Sequence, residues 1–212
     1  MPRHIDRARR ESDITNAAIG ILAKHGPAAL TLRRLADELG GSQTLITHFF
    51  PDREHLFRAI TDRLIASYDE EIPALERDAP PLERLHLLLQ WMLPLDAESQ
   101  LAEQGRVFMV SQRAANEDVR HFYDAMDNKM RDLLRGHLKP LVPPGKLDVT
   151  VDTLRVFVNG VVLSSTEHPG AWPAARQRKL LNHLLNSLGL RHSDAAQPPG
   201  GSTRERKPKI SA

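Results

Sequence analysis

The stretch Thr31-Leu32-Arg33-Arg34-Leu35-Ala36-Asp37-Glu38-Leu39-Gly40-Gly41-Ser42-Gln43-Thr44-Leu45-Ile46-Thr47-His48-Phe49 decides how this chain is read. Thr31 is a helix N-cap, because its hydroxyl can accept from a free first-turn amide. Leu32, Leu35, Ala36 and Leu39 then fall on one face of a two-turn helix. Gly40-Gly41 ends it, since glycine turns the backbone at low steric cost. Ser42 caps a second short helix that runs to about Phe49. Two short helices joined by a tight glycine turn are the signature of a helix-turn-helix unit.

The second helix of such a unit lies in the DNA major groove with its N-terminal residues towards base edges. Here those residues are Ser42, Gln43 and Thr44. Glutamine can pair bidentately with adenine, and threonine can donate to bases or touch a thymine methyl. A phosphate clamp is expected around them. Thr31 starts the first helix, Arg33 and Arg34 lie in its first turn, and Thr47 and His48 end the second. Arg53 opens the next helix and can reach the backbone from the far side. Contacts of this sort position the protein, while base edges specify sequence. Phe49 and Phe50 read as core.

Working outward, the rest of the chain is a string of helices. Ile14, Ala17, Ala18, Ile21 and Leu22 mark a first helix over about 6–24, stopped at Gly26-Pro27. Asp52 caps a fourth, which carries Leu56, Phe57, Ile60, Leu64, Ile65 and Tyr68 and is expected to stop near Pro73. Further helices are expected over about 82–92, 97–114 and from about Glu117 to the prolines at 140, 143 and 144. The run Val156-Phe157-Val158-Asn159-Gly160-Val161-Val162-Leu163 holds a strong hairpin dipeptide. It does not alternate, however, and a lone hairpin would have no sheet to join. It is read as helix over 146–168, apolar nearly all round and so covered on more than one side. A last helix spans 173–189, and residues 191–212 read as a disordered basic tail.

Composition narrows the function. Hydrophobic residues are 41% and charged residues 26%, the balance of an ordinary globular chain. There are no cysteines, which removes disulfides, iron–sulfur clusters and thiol catalysis. No apolar run is long enough for a signal peptide or a membrane span, so a cytoplasmic protein without membrane contact is expected. Residues 1–60 carry nine basic and seven acidic side chains, and the middle of the chain is acidic. Positive charge at the ends permits an anionic partner without demanding one.

Residues 7 to about 60 resemble the DNA-binding domain of TetR-family transcriptional regulators. The likeness rests on Ile14 to Gly26, on Thr31-Leu32-Arg33-Arg34-Leu35-Ala36 followed by Gly40, and on Ser42 through Leu56. Within the last block, His48-Phe49-Phe50-Pro51-Asp52-Arg53-Glu54-His55-Leu56 is similar to the family's aromatic–Lys–Glu–Leu signature. It departs from it with Arg at 53, where the family usually has Lys, and Thr at 47, where an aromatic is common. Leu93-Pro94-Leu95-Asp96 and the segment from Val158 to Leu190 resemble the subgroup with the choline-responsive repressor's C-terminal domain.

The resemblance implies an all-α chain of about nine helices. It has a helix-turn-helix domain over 1–50 and an effector-binding and dimerisation domain over 51–190. It further implies a homodimer built through helices eight and nine, with each subunit placing helix three in double-stranded DNA. Two subunits then imply a palindromic operator. Release by a small-molecule effector makes the chain a repressor. Trp91, Phe108, Met109, Gln112, Tyr123 and Asn159 are expected around the effector.

Two rivals stand beside this reading. A metal-dependent helical enzyme could use Glu83 with His86, spaced as in di-iron bundles, but the second pair is missing and no nucleophile–base motif or phosphate loop is present. The chain is therefore read as no enzyme, with no cofactor. A helical adaptor would instead bind protein through the same exposed surface.

Overall fold

The computed structural model describes residues 7–26, 29–111 and 113–191. Among them the chain forms nine α-helices and no strand. These are α1 (Arg7–His25), α2 (Leu32–Glu38), α3 (Gln43–Phe49), α4 (Arg53–Glu76), α5 (Pro81–Met92), α6 (Ala97–Val110), α7 (Glu117–Leu138), α8 (Leu147–Glu167) and α9 (Ala174–Ser187). The expected tail from residue 192 onward, and Gln112, lie outside the described residues.

The short helices start where their caps dictate. Thr31, Ser42 and Asp52 each accept a backbone N–H three residues on, from Arg34, Leu45 and His55. Gly40 takes a positive φ of 62°, which lets Gly41 N–H bond the carbonyl of Ala36 and Gly40 N–H that of Asp37. That pair of bonds is the Schellman closure of a helix. It throws the chain sharply from α2 into α3. Ile46 and Phe49 bury the inner side of α3 beside Leu35 and Ala36 of α2.

Two boundaries differ from the sequence expectation. α4 does not stop at Pro73 but carries it and runs on to Glu76. A proline inside a helix forfeits one backbone bond at about 3 kcal/mol. Here its ring lies on the exposed side, while Ile72 and Glu76 continue the buried face. Glu76 accepts from Arg84 Nε at 2.7 Å and contacts His137 Nε2, so the far end of α4 is tied to α5 and α7. α6 ends at Val110 rather than near Ala114, because Ser111 caps it and its hydroxyl turns back to the Phe108 carbonyl.

The Asn159-Gly160 stretch is helical, inside α8. Thr150, Val151, Leu154, Val158, Val161 and Val162 face inward. α7, a strongly two-faced helix, packs against α4, α5 and α8. α6 packs between α8 and α1. α9 is held by Gln177, fully buried, whose amide donates to the carbonyls of Pro94 and Trp172 at 2.9 Å. No helix among the described residues is long and apolar enough to cross a membrane.

Candidate nucleic-acid interface and effector cavity

The outer face of the α2–α3 unit is polar and open. Gln43, Thr44 and His48 are exposed on α3, and Arg33 and Arg34 are exposed on α2. Thr31 and Ser42 use their hydroxyl oxygens as caps, which leaves each O–H free to donate outward. Thr47 is half-buried and donates to the Thr44 carbonyl at 3.1 Å, so its hydroxyl is committed within α3. His48 stands edge-on to Phe49 at 5.3 Å. Phe49 and Phe50 are buried under the helix, as the sequence suggested. Most of the predicted surface residues therefore share one face.

Arg53 is the exception in its surroundings. Its guanidinium lies over the Phe57 ring at 5.0 Å and 3.8 Å from the carboxylate of Asp118 in α7. It sits beside the exposed α2–α3 face while leaning on α7. Asp52, next to it, is held below the ordinary carboxylate range by the His55 backbone N–H and then by the His55 ring.

The second feature is a cavity of about 20 Å³ lined by five helices. That is room for one or two waters. Tyr68 of α4 and Trp91 of α5 stand edge-to-face at 4.9 Å on one side. Glu103 and Arg106 of α6 and Arg155 of α8 supply charge, and Met92, Met130, Val158 and Val162 supply the apolar wall. All three charged residues are buried. Arg106 Nε donates to Glu103 Oε2 at 2.6 Å, and Arg155 Nε donates to Asp127 Oδ1 at 2.7 Å.

Buried charges need such partners, because desolvation otherwise outweighs their attraction. Burial lowers the Arg155 guanidinium from its usual range, against the pull of Asp127. Burial would lower Arg106 as well, but adjacent Glu103 more than compensates and holds it up. Burial would raise the Asp127 carboxyl, but bonds from Arg131 and Arg155 hold it below the ordinary range.

Of the residues expected around an effector, only Trp91 lines this cavity among the described residues. Tyr123 backs it: its hydroxyl donates to the Arg106 carbonyl, and burial pushes its phenol above the usual range. Met109 is buried but off the wall. Asn159 is half-buried, and its side-chain carbonyl oxygen finds no hydrogen-bond partner among the described residues. Phe108 requires correction. It is 62% exposed on the outer side of α6, because the inner side is taken by Ala102, Glu103, Arg106 and Met109. Sequence reasoning missed Glu103, Arg106 and Arg155. Their signal was a charge at an inward helical position, since 99, 102, 103, 106 and 109 repeat at helical spacing. Among the described residues no three His, Asp or Glu side chains are grouped to hold a metal ion.

Comparison with known proteins fits this geometry. The family model for bacterial regulatory proteins of the tetR family matches residues 14–60. The model for the C-terminal domain of BetI-type transcriptional repressors matches residues 81–190. The HTH-type transcriptional regulator BetI of Rhizobium meliloti is 22% identical over 155 residues, 73% of this chain and 76% of that protein. A transcriptional regulator from Rhodococcus superposes with a TM-score of 0.70 at 18% identity, over 84% of this chain and 94% of its own. A regulator from Saccharomonospora viridis, solved in complex with choline, superposes with a TM-score of 0.67 at 20% identity, over 84% and 96%.

Proposed function

This chain belongs to the tetR family of bacterial regulatory proteins, with a C-terminal domain of the BetI-type repressor kind, and from that premise we propose that it is a homodimeric, effector-released repressor. Membership makes it a DNA-binding transcriptional regulator rather than an enzyme. The observation that carries the finer reading is the open face of α3, with Gln43 and Thr44 exposed on it and Arg33 and Arg34 exposed on α2. Residues 1–50 act as the reading domain and residues 51–190 as the effector and dimerisation domain, in the cytoplasm.

Dimerisation through α8 and α9 is supported by their surface. Val149, Val156 and Leu163 recur every seven residues on α8 and are exposed, as is Leu180 on α9. A stripe at that spacing is the pattern of a helix seam. A twofold dimer presents two copies of α3, and these match a palindromic operator whose half-sites are spaced by whole turns of DNA.

Control follows from the helices that the cavity shares with the reading head. Tyr68 lies on α4, whose first residue is Arg53 beside α3. Glu103 and Arg106 lie on α6, which packs directly on α1. An effector that widens the cavity displaces α4 and α6 against α1 and changes the spacing of the two reading helices. It shifts the DNA-competent population only by its differential affinity for the two conformers. Choline occupies the Saccharomonospora viridis neighbour, which supports a small organic effector for this chain.

Footprinting on DNA upstream of the protein's own gene tests the reading. Two protected half-sites on one face of the duplex, with binding that weakens steeply as salt rises, are expected. Absence of any protected site at low salt contradicts it.

A further inference from the structure

The charge lining the cavity is unbalanced, with two guanidinium groups and one carboxylate. Arg106 and Arg155 each donate to a carboxylate through Nε, Arg106 to Glu103 and Arg155 to Asp127. Both side chains are more than nine-tenths buried. A guanidinium has five N–H donors in a planar fork matched to carboxylate geometry. Two such forks line a space that contains a single lining carboxylate among the described residues, Glu103, already bonded to Arg106. Asp127 stands behind Arg155 and is shared with Arg131. An ion entering the cavity thus meets two positive groups and one negative group at similar depth.

Resting on the effector-controlled reading above, we infer that this cavity takes a compact organic carboxylate, its anionic end on the terminal N–H groups of Arg106 and Arg155 and its body against Tyr68 and Trp91. The edge-to-face pair offers an apolar wall for that body. Room comes from Met92 and Met130, whose unbranched side chains repack readily. A quaternary ammonium would have Glu103 and the two rings to attract it, but it would face both guanidiniums in a low-dielectric site. The charge balance favours the anion.

The test compares matched probes on the full-length wild-type protein: acetate, 3-methylbutanoate, benzoate and phenylacetate, the corresponding neutral amides, and choline. Binding is read by titration calorimetry and by the shift in melting temperature. At least one carboxylate is expected to bind saturably, with its amide weaker by roughly tenfold or more, the worth of a charge-assisted hydrogen bond. Arg155→Gln should erase that difference, and Arg155→Lys should restore it in part, because lysine keeps the charge without the fork. The wild-type comparison of acid with amide stands even where a variant fails to fold. Choline binding more tightly than every carboxylate, amides equal to acids, or no carboxylate binding at millimolar concentration each overturns the inference. A carboxylate that binds but leaves operator binding unchanged upholds the inference and contradicts effector release instead.

Discussion

Arg53, the first residue of α4, lies 3.8 Å from Asp118 in the first turn of α7. A cation at the edge of the exposed α2–α3 face is thereby tethered to the larger helical domain. The pair is partly exposed, where such an interaction is worth at most about 1 kcal/mol. It can compete with a DNA phosphate for the same guanidinium.

Asp118→Asn should release Arg53 to the phosphate backbone. DNA affinity should rise about two- to fivefold, with the salt slope steeper by up to ~0.9 for the phosphate engaged. Arg53→Ala should lower affinity about equally for all sequences. Fluorescence anisotropy over a salt series measures both, and an unchanged slope in Asp118→Asn would mean that Arg53 contacts no phosphate.

Gly40 sits at φ 62°, a conformation that costs a residue with a Cβ about 1–2 kcal/mol. No described atom stands within 4 Å of the place a Cβ would take, so backbone conformation is the whole penalty. Gly40→Ala should lose that amount in urea unfolding. Loss of nothing would mean that the turn between α2 and α3 relaxes freely.

How far the sequence carried can be judged residue by residue. Thr31, Ser42 and Asp52 were readable as caps because capping is local chemistry, and each makes the expected bond. The helical state of Asn159-Gly160 was readable from the lack of alternation around it. The run of α4 past Pro73 was not, because its buried continuation depends on Arg84 and His137 from other helices. The cavity was the least legible part. Trp91 and Phe108 were both named because a large aromatic in a helical domain draws attention; Trp91 lines the cavity and Phe108 lies exposed. Glu103, Arg106 and Arg155 look like surface charge until their partners are known. Arg155 finds Asp127 28 residues away, a pairing that no local pattern announces.

Acid should destabilise the protein through Asp127. Its carboxyl is lower in the folded state than in the unfolded chain. The stabilisation is therefore present above the ordinary carboxylate range and is lost as pH falls through the folded value, below about pH 4. Melting temperature followed downward from pH 6 should drop in that window. Asp127→Asn should be less stable at neutral pH and show a shallower acid limb; an unaltered limb would remove Asp127 from the explanation.

Val156 is 67% exposed, at the centre of the α8 stripe. Under the dimer proposed above, Val156→Asp should give a monomer with little loss of secondary structure, because the exposed side chain supports no core within the chain. Light scattering after size-exclusion chromatography checks this. A variant that remains dimeric would move the interface away from α8.

The reading role of α3 is tested most directly by Gln43→Ala with Thr44→Ala, assayed against operator and scrambled DNA in parallel. Both side chains are exposed and neither caps a helix, so the fold should persist. Operator affinity should fall by about 1–3 kcal/mol for each base that is no longer read, while scrambled-DNA affinity stays within about twofold. Retention of full operator preference by the folded double variant would contradict base recognition by α3.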